Sequence, residues 1–199
     1  EPPPRLPAPK DVEIYSYNFH SLLRWSPVEV EGVLYTVQYK TGAFPVWSEM
    51  NCTRSPQPQC GFPPGLRRRW TVSLRVRAEL GTATSPWVCQ GPFVPEWNTT
   101  LGPPRVTNVS ASPDSLLLRV TPPFTPELRD NVFYLVSYWE NSTRAVQKEL
   151  VESNTLFQIG NLKESTLYCF SVRVGLGTDT GDLLLGQQSA PQCHRTGTS

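Results

Sequence analysis

Near residue 103 the chain restarts a pattern it has already run once. Pro7-Ala8-Pro9-Lys10-Asp11-Val12 opens the first run and Gly102-Pro103-Pro104-Arg105-Val106 opens the second. Ser21-Leu22-Leu23-Arg24-Trp25-Ser26-Pro27 then corresponds to Ser115-Leu116-Leu117-Leu118-Arg119-Val120-Thr121-Pro122, and Leu34-Tyr35-Thr36-Val37-Gln38-Tyr39 to Phe133-Tyr134-Leu135-Val136-Ser137-Tyr138-Trp139. Two copies of a module of about 100 residues account for the 199 residues of the chain, and that is the size of a small sandwich domain. The sequence predicts a leader over 1–9, a first domain over 10–101, a short stiff linker over 102–104 and a second domain with its tail over 105–199.

What each copy folds into follows from its punctuation. Pro 21 in 199 residues is about twice ordinary usage and argues against helices, because proline removes a backbone donor and breaks helix interiors. Short apolar runs such as Val12-Glu13-Ile14-Tyr15, separated by Asn, Ser, Pro and Gly, have the length and spacing of strands. The segment from Trp70 to Glu79 alternates strictly, with apolar side chains at even positions and polar ones at odd positions, so one face meets a core and the other meets water. Seven such runs per copy describe an antiparallel β-sandwich. Tyr168, near the start of a late strand, sits where such sandwiches use a tyrosine to bond the preceding corner. On the outward face of the alternating strand, Arg75 and Arg77 lie where neighbouring strands offer Trp47 and Trp87, a cation–aromatic ladder read as structural. The proline-rich head cannot pair into a sheet, so regular structure is expected to start near Lys10.

Several function classes fall away. The net charge of +1 is spread over both halves, and only Arg67-Arg68-Arg69 clusters, which speaks against a nucleic-acid partner. No run of about 18 apolar residues is present and no signal peptide precedes Glu1, so the segment reads as a trimmed soluble piece. His20 and His194 are the only histidines, expected in a turn and in a tail, and no nucleophile elbow, phosphate loop or zinc-protease motif accompanies them. Neither an enzyme nor a cofactor is expected. A zinc site competes for the cysteines, but no Cys-x-x-Cys pair exists. Four sequons, at Asn51, Asn98, Asn108 and Asn141, together with Cys 5 and Met 1, point to secretory folding and surface glycans. Two bridges among five cysteines can be drawn in about 15 ways. Cys52 and Cys60 enclose a short loop in the first copy, and Cys169 and Cys193 can join late strands of the second. One bridge per copy is therefore expected, with Cys89 left over.

These residues resemble the ectodomains of class II cytokine receptors. The likeness is carried by the tandem sandwich, Gly102-Pro103-Pro104, the spacing of the four paired cysteines, and Arg75-Val76-Arg77-Ala78-Glu79-Leu80 followed by Trp87. Within the family, Leu6-Pro7-Ala8-Pro9, Asn51-Cys52-Thr53, Arg77-Ala78-Glu79-Leu80-Gly81, Ser115-Leu116-Leu117, Pro123-Phe124 and Tyr138-Trp139-Glu140 are similar to an accessory chain for interferon-gamma. Asn18-Phe19 and the Arg75-to-Glu79 block are also similar to the accessory chain for interleukin-10. The resemblance implies an all-β fold of two tandem fibronectin type III-like sandwiches. It implies a single-pass cell-surface protein of which this is the extracellular part, binding a helical cytokine, interferon-gamma favoured, together with its primary receptor chain. A cytoplasmic tail outside this sequence would carry a Janus kinase, and the isolated ectodomain would be monomeric. A different class, an adhesion or matrix spacer, shares the fold.

The expected binding site is the inside of the elbow between the sandwiches. Its loops are Thr41-Gly42-Ala43-Phe44-Pro45, the stretch from Pro63 to Arg69, the surroundings of Trp97, Pro122-Pro123-Phe124-Thr125-Pro126, and Gly181-Asp182-Leu183-Leu184-Leu185-Gly186. Apolar side chains in turn-like segments serve either as hinge packing or as anchors. Phe44, Trp97, Phe124, Leu183, Leu184 and Leu185 are read as contact residues, and Arg67, Arg68 and Arg69 as steering charges.

Overall fold

The computed structural model describes residues 5–42, 46–142, 144, 146–178 and 181–199. The chain divides into two compact units, Glu1–Thr99 and Thr100–Ser199. The strands of the first are β1 (Lys10–Tyr17), β2 (His20–Ser26), β3 (Leu34–Thr41), β4 (Ser48–Glu49), β5 (Gln59–Gly61), β6 (Val72–Leu80), β7 (Ala83–Thr84) and β8 (Val88–Phe93), followed by the single-turn helix α1 (Pro95–Asn98). The second holds β9 (Arg105–Ser112), β10 (Ser115–Thr121), β11 (Asn131–Glu140), β12 (Lys148–Glu152), β13 (Leu156–Ile159), β14 (Leu167–Gly177), β15 (Leu183–Leu185) and β16 (Gln192–Arg195).

In the first unit an antiparallel sheet in the order β1-β2-β5 faces a second sheet in the order β4-β3-β6-β7, with β8 also paired to β6. Period-two alternation along β6 turns Val72, Leu74, Val76 and Ala78 inward, where they are fully buried with Leu23 and Val37. Trp25 meets Tyr35 edge-to-face at 5.2 Å. Two departures from the expected strand stand out. Trp70 and Thr71 precede β6 and are not part of it. Glu79, an outward position by parity, is buried because its carboxylate is fully occupied: Arg77 Nε donates at 2.9 Å and Thr36 Oγ1 at 2.8 Å. Strand structure begins at Lys10, yet Leu6 ahead of it is packed into this core. An apolar side chain can be buried by an extended proline-rich segment that makes no ladder.

The second unit repeats the plan, with β13-β10-β9 against β12-β11-β14-β15 and β16 also paired to β14. Leu116, Leu118, Val172 and Val174 fill its centre, with Tyr134 and Phe170 beside them. Removing one such side chain, as in Leu118→Ala, would cost about 2–5 kcal/mol. Gly175 is required by packing, since a Cβ there would lie 2.2 Å from the Phe133 ring. The Tyr168 hydroxyl accepts the Lys163 N–H at 3.0 Å and so ties down the turn before its own strand. Leu101, at the expected end of the first domain, belongs with this unit: it is buried, and its carbonyl accepts the Gln187 N–H at 2.8 Å. A second difference is Leu183-Leu184-Leu185. This run forms β15, an edge strand, because Leu183, Leu184 and Leu185 pair with Gly177, Leu176 and Gly175.

Cys52 and Cys60 are bonded, with Cα atoms 5.8 Å apart, as are Cys169 and Cys193, with Cα atoms 4.0 Å apart. Cys89 is free and exposed.

Candidate functional site

Pairing places loops at ends. In the first unit Thr41 pairs with Val72, and Val72 with Phe93. The segment after β3, the segment before β6 and α1 therefore share one end of the sandwich. The β1–β2 turn joins them there, because Thr99 Oγ1, just past α1, accepts the Phe19 N–H at 3.1 Å and the Ser16 hydroxyl at 2.9 Å. Tyr17 pairs with His20, leaving Asn18 and Phe19 as a two-residue hairpin loop with φ of 50° and 66°. Positive φ at both central positions is the type I′ form of such a loop, which Asn accepts and a bulky ring resists. Phe19 is held there by the Thr99 bond and by the Arg68 guanidinium, 4.2 Å above its ring.

Arg68 in turn anchors α1, since its carbonyl accepts the Glu96 N–H at 2.9 Å. Pro95 opens α1 where no donor is lost, and Asn98 Oδ1 accepts the Val94 N–H at 3.2 Å. The result is a small rigid platform from which Trp97 projects, 51% exposed, with Tyr17 and Trp70 also exposed and Arg67 and Arg69 in water. Large rings exposed together at one end are the unusual observation, because single exposed apolar side chains are ordinary.

The outward face of β6 carries the ladder. Arg75 lies over both Trp47, at 4.4 Å, and Trp87, at 4.3 Å, and Arg77 lies over Trp87 at 4.5 Å. Lys40 Nζ also lies over Trp47, at 4.8 Å. Arg75 Nε donates to Gln38 Oε1 at 2.9 Å, so the guanidinium is fixed in plane as well as stacked.

In the second unit Asn131 pairs with Gly177, so the segment before β11 and the segment after β14 share an end. Leu128 is fully exposed in the first of these, within a turn where the Glu127 N–H donates to Asp130 Oδ2 at 2.8 Å. At the start of β15, Leu183 is 53% exposed. Among the described residues no group of three His, Cys, Asp or Glu is placed to hold a metal, and no helix is long and apolar enough to cross a membrane.

Two family models match in series. The tissue factor family matches residues 1–87, and the fibronectin type III family of the interferon-alpha/beta receptor matches residues 99–197. Human interferon gamma receptor 2 is 31% identical over 98% of this chain and 63% of its own length. Mouse interleukin-10 receptor subunit beta is 31% identical over 96% of this chain and 55% of its own length. The chain belongs to the class II cytokine receptor family. It spans somewhat over half the length of these relatives. Its fold is that of the chicken interferon gamma receptor alpha chain, with a TM-score of 0.80, 20% identity, and coverage of 97% of this chain and 100% of that one.

On this receptor chain the residues read as contacts divide. Trp97, Arg67 and Arg69 are exposed at the platform, and Leu183 and Leu185 are half exposed on β15 while Leu184 is partly covered between them. Phe44 lies outside the described residues. Phe124 was expected as an anchor and is only 8% exposed, so it packs inside. Arg68 was expected as a steering charge and is instead half-buried on Phe19. Sequence reasoning placed the turn at His20, which instead opens β2, and it missed the part played by Asn18-Phe19 and by Leu128. The first left a signal, two residues separating two strand runs; the second left none, since Glu127-Leu128-Arg129 reads as ordinary loop. The four sequon asparagines, Asn51, Asn98, Asn108 and Asn141, are all exposed.

Proposed function

We propose that this chain is the extracellular part of an accessory receptor that joins interferon-gamma already held by its primary receptor chain and so brings Janus kinases together through tails outside this sequence. The observation that carries the reading is the 31% identity to human interferon gamma receptor 2 along 98% of the chain. In the first unit the contact residues are Trp97 as the aromatic anchor, Tyr17 and Trp70 beside it, Arg67 and Arg69 as rim charges, and, from the sequence alone, Phe44. In the second unit they are Leu128, Leu183 and Leu185. Interfaces concentrate energy in a few aromatic and arginine side chains, while rim charges speed and orient encounter. An accessory chain of this kind meets a composite surface, so free cytokine alone binds it weakly.

The test is a titration of the ectodomain with interferon-gamma alone and with interferon-gamma preassembled on its primary receptor. Tight binding only to the preassembled pair is expected, and Trp97→Ala should weaken it by more than ~1 kcal/mol, chiefly through faster dissociation. Arg67→Ala and Arg69→Ala should slow association at low salt and lose that effect at high salt. A response to interleukin-10-family complexes with none to interferon-gamma would replace this reading by the interleukin-10 receptor beta one, which the 31% identity over 96% of the chain favours second.

A further inference from the structure

The outward face of the β13-β10-β9 sheet presents two rows that cross all three strands. Leu156, Arg119 and Asn108 form one row, and Gln158, Leu117 and Ser110 form the other. The inward neighbours Leu116, Leu118, Phe157 and Ile159 are buried, which fixes the parity, so Leu117 and Leu156 stand outward, 40% and 43% exposed. The matching sheet of the first unit shows what is missing. There the rows are Gln59, Arg24 and Glu13, and Gly61, Leu22 and Tyr15. The Arg24 guanidinium lies 4.1 Å over the Tyr15 ring, and Leu22 beside Tyr15 is only partly exposed, less so than its counterpart Leu117. In the second unit the position of Tyr15 is taken by Ser110, and Ser110 completes the sequon that begins at Asn108.

We propose that an N-linked glycan on Asn108 lies across the β10 strand and covers Leu117 and Leu156, supplying the cover that Tyr15 supplies in the first unit. Asn108 is exposed, and its direct neighbour in the ladder is Arg119, whose own other neighbour is Leu156. Adjacent strands stand about 4.8 Å apart, so Asn108 and Leu156 are separated by about 10 Å, a distance the first two sugars of the glycan cross. N-acetylglucosamine has apolar C–H faces suited to leucine, and its hydroxyls and amides suit Arg119 and Gln158. A glycan stays soluble on its outer side, which removes two neighbouring exposed leucines as a site of self-association.

The protein is secreted from mammalian cells, occupancy at Asn108 is read by peptide mass spectrometry, and hydroxyl-radical footprinting is run on the folded protein before and after enzymatic deglycosylation. Oxidation of Leu117 and Leu156 should rise at least about twofold on deglycosylation, with Leu80 of the first unit unchanged as the reference. Asn108→Gln should reproduce the rise, and Asn98→Gln and Asn141→Gln should not. Because the sugar is removed from folded protein, a folding failure in the variant does not blur the result. An unoccupied Asn108 overturns the proposal, as do equal oxidation rates in the two forms. Protection that persists after deglycosylation and grows with protein concentration assigns the cover to a second copy instead.

Discussion

The two units solve the same problem on their matching sheets with different chemistry. In each, a long central strand is paired on one side with the strand that ends the unit, β8 with β6 and β16 with β14. In the second unit Cys169 stands opposite Cys193, and the pair is covalent. In the first unit Cys89 stands opposite Arg75. Cys89 is therefore the odd cysteine because its cross-strand position is occupied by a guanidinium that two tryptophans hold, and the first unit's own bridge lies elsewhere, between Cys52 and Cys60. Each sheet thus carries a cross-strand tie on its outward face, a disulfide in the second unit and a stacked cation in the first, and the two ties sit at different positions along the central strand.

The largest effect expected is from the covalent tie. Cys169→Ser with Cys193→Ser opens a loop with a sequence separation of 24 and should cost the second unit about 3 kcal/mol, while the first unit's transition stays in place. Calorimetry on the ectodomain, resolving two transitions, reads this directly, and a shift of both transitions together would mean the units do not unfold separately. Next is Arg75→Ala, which removes a cation from two indole faces and from Gln38 and should cost the first unit about 2 kcal/mol. Arg75→Lys should recover under half of that, because an ammonium cannot lie flat between two rings. Tyr168→Phe leaves the Lys163 N–H without its acceptor and should cost about 1 kcal/mol in the second unit by urea denaturation; Tyr35→Phe, whose hydroxyl accepts the Val28 N–H at 2.7 Å, should do the same in the first. The smallest net effect is the most informative. Arg75→Cys puts a thiol opposite Cys89 as Cys169 is opposite Cys193, so non-reducing peptide mapping should find the two linked, with the new bridge offsetting the lost ladder to within about 1 kcal/mol. An unlinked pair would show that direct opposition at Arg75 and Cys89 does not bring two thiols within bonding reach.

The strands and the repeat were legible because period-two alternation and proline punctuation are local, and the ladder was legible because Arg75 and Arg77 share the outward parity of one strand. What was not legible depends on partners distant in sequence. A run of three leucines has no period, so β15 shows itself only through its pairing with the distant end of β14. Phe124, flanked by prolines, reads as a loop residue whether its ring turns in or out, and it turns in. The reverse holds for Leu128, exposed between charged neighbours. Arg68 differs from Arg67 and Arg69 only because the β1–β2 turn brings Phe19 beneath it. Leu6 is read with the leader by composition and is held in the core by tertiary packing.

The register of β11 and β14 also gives the second unit a built-in optical readout. Its single tryptophan, Trp139, stands directly opposite Cys169 of the disulfide, whereas the other five tryptophans belong to the first unit. A disulfide can take an electron from a nearby excited indole, so Trp139 emission should be low while the bridge is closed and should rise once it is reduced. In a variant whose Cys52 and Cys60 are both serine, emission gained on reduction reports the second unit alone.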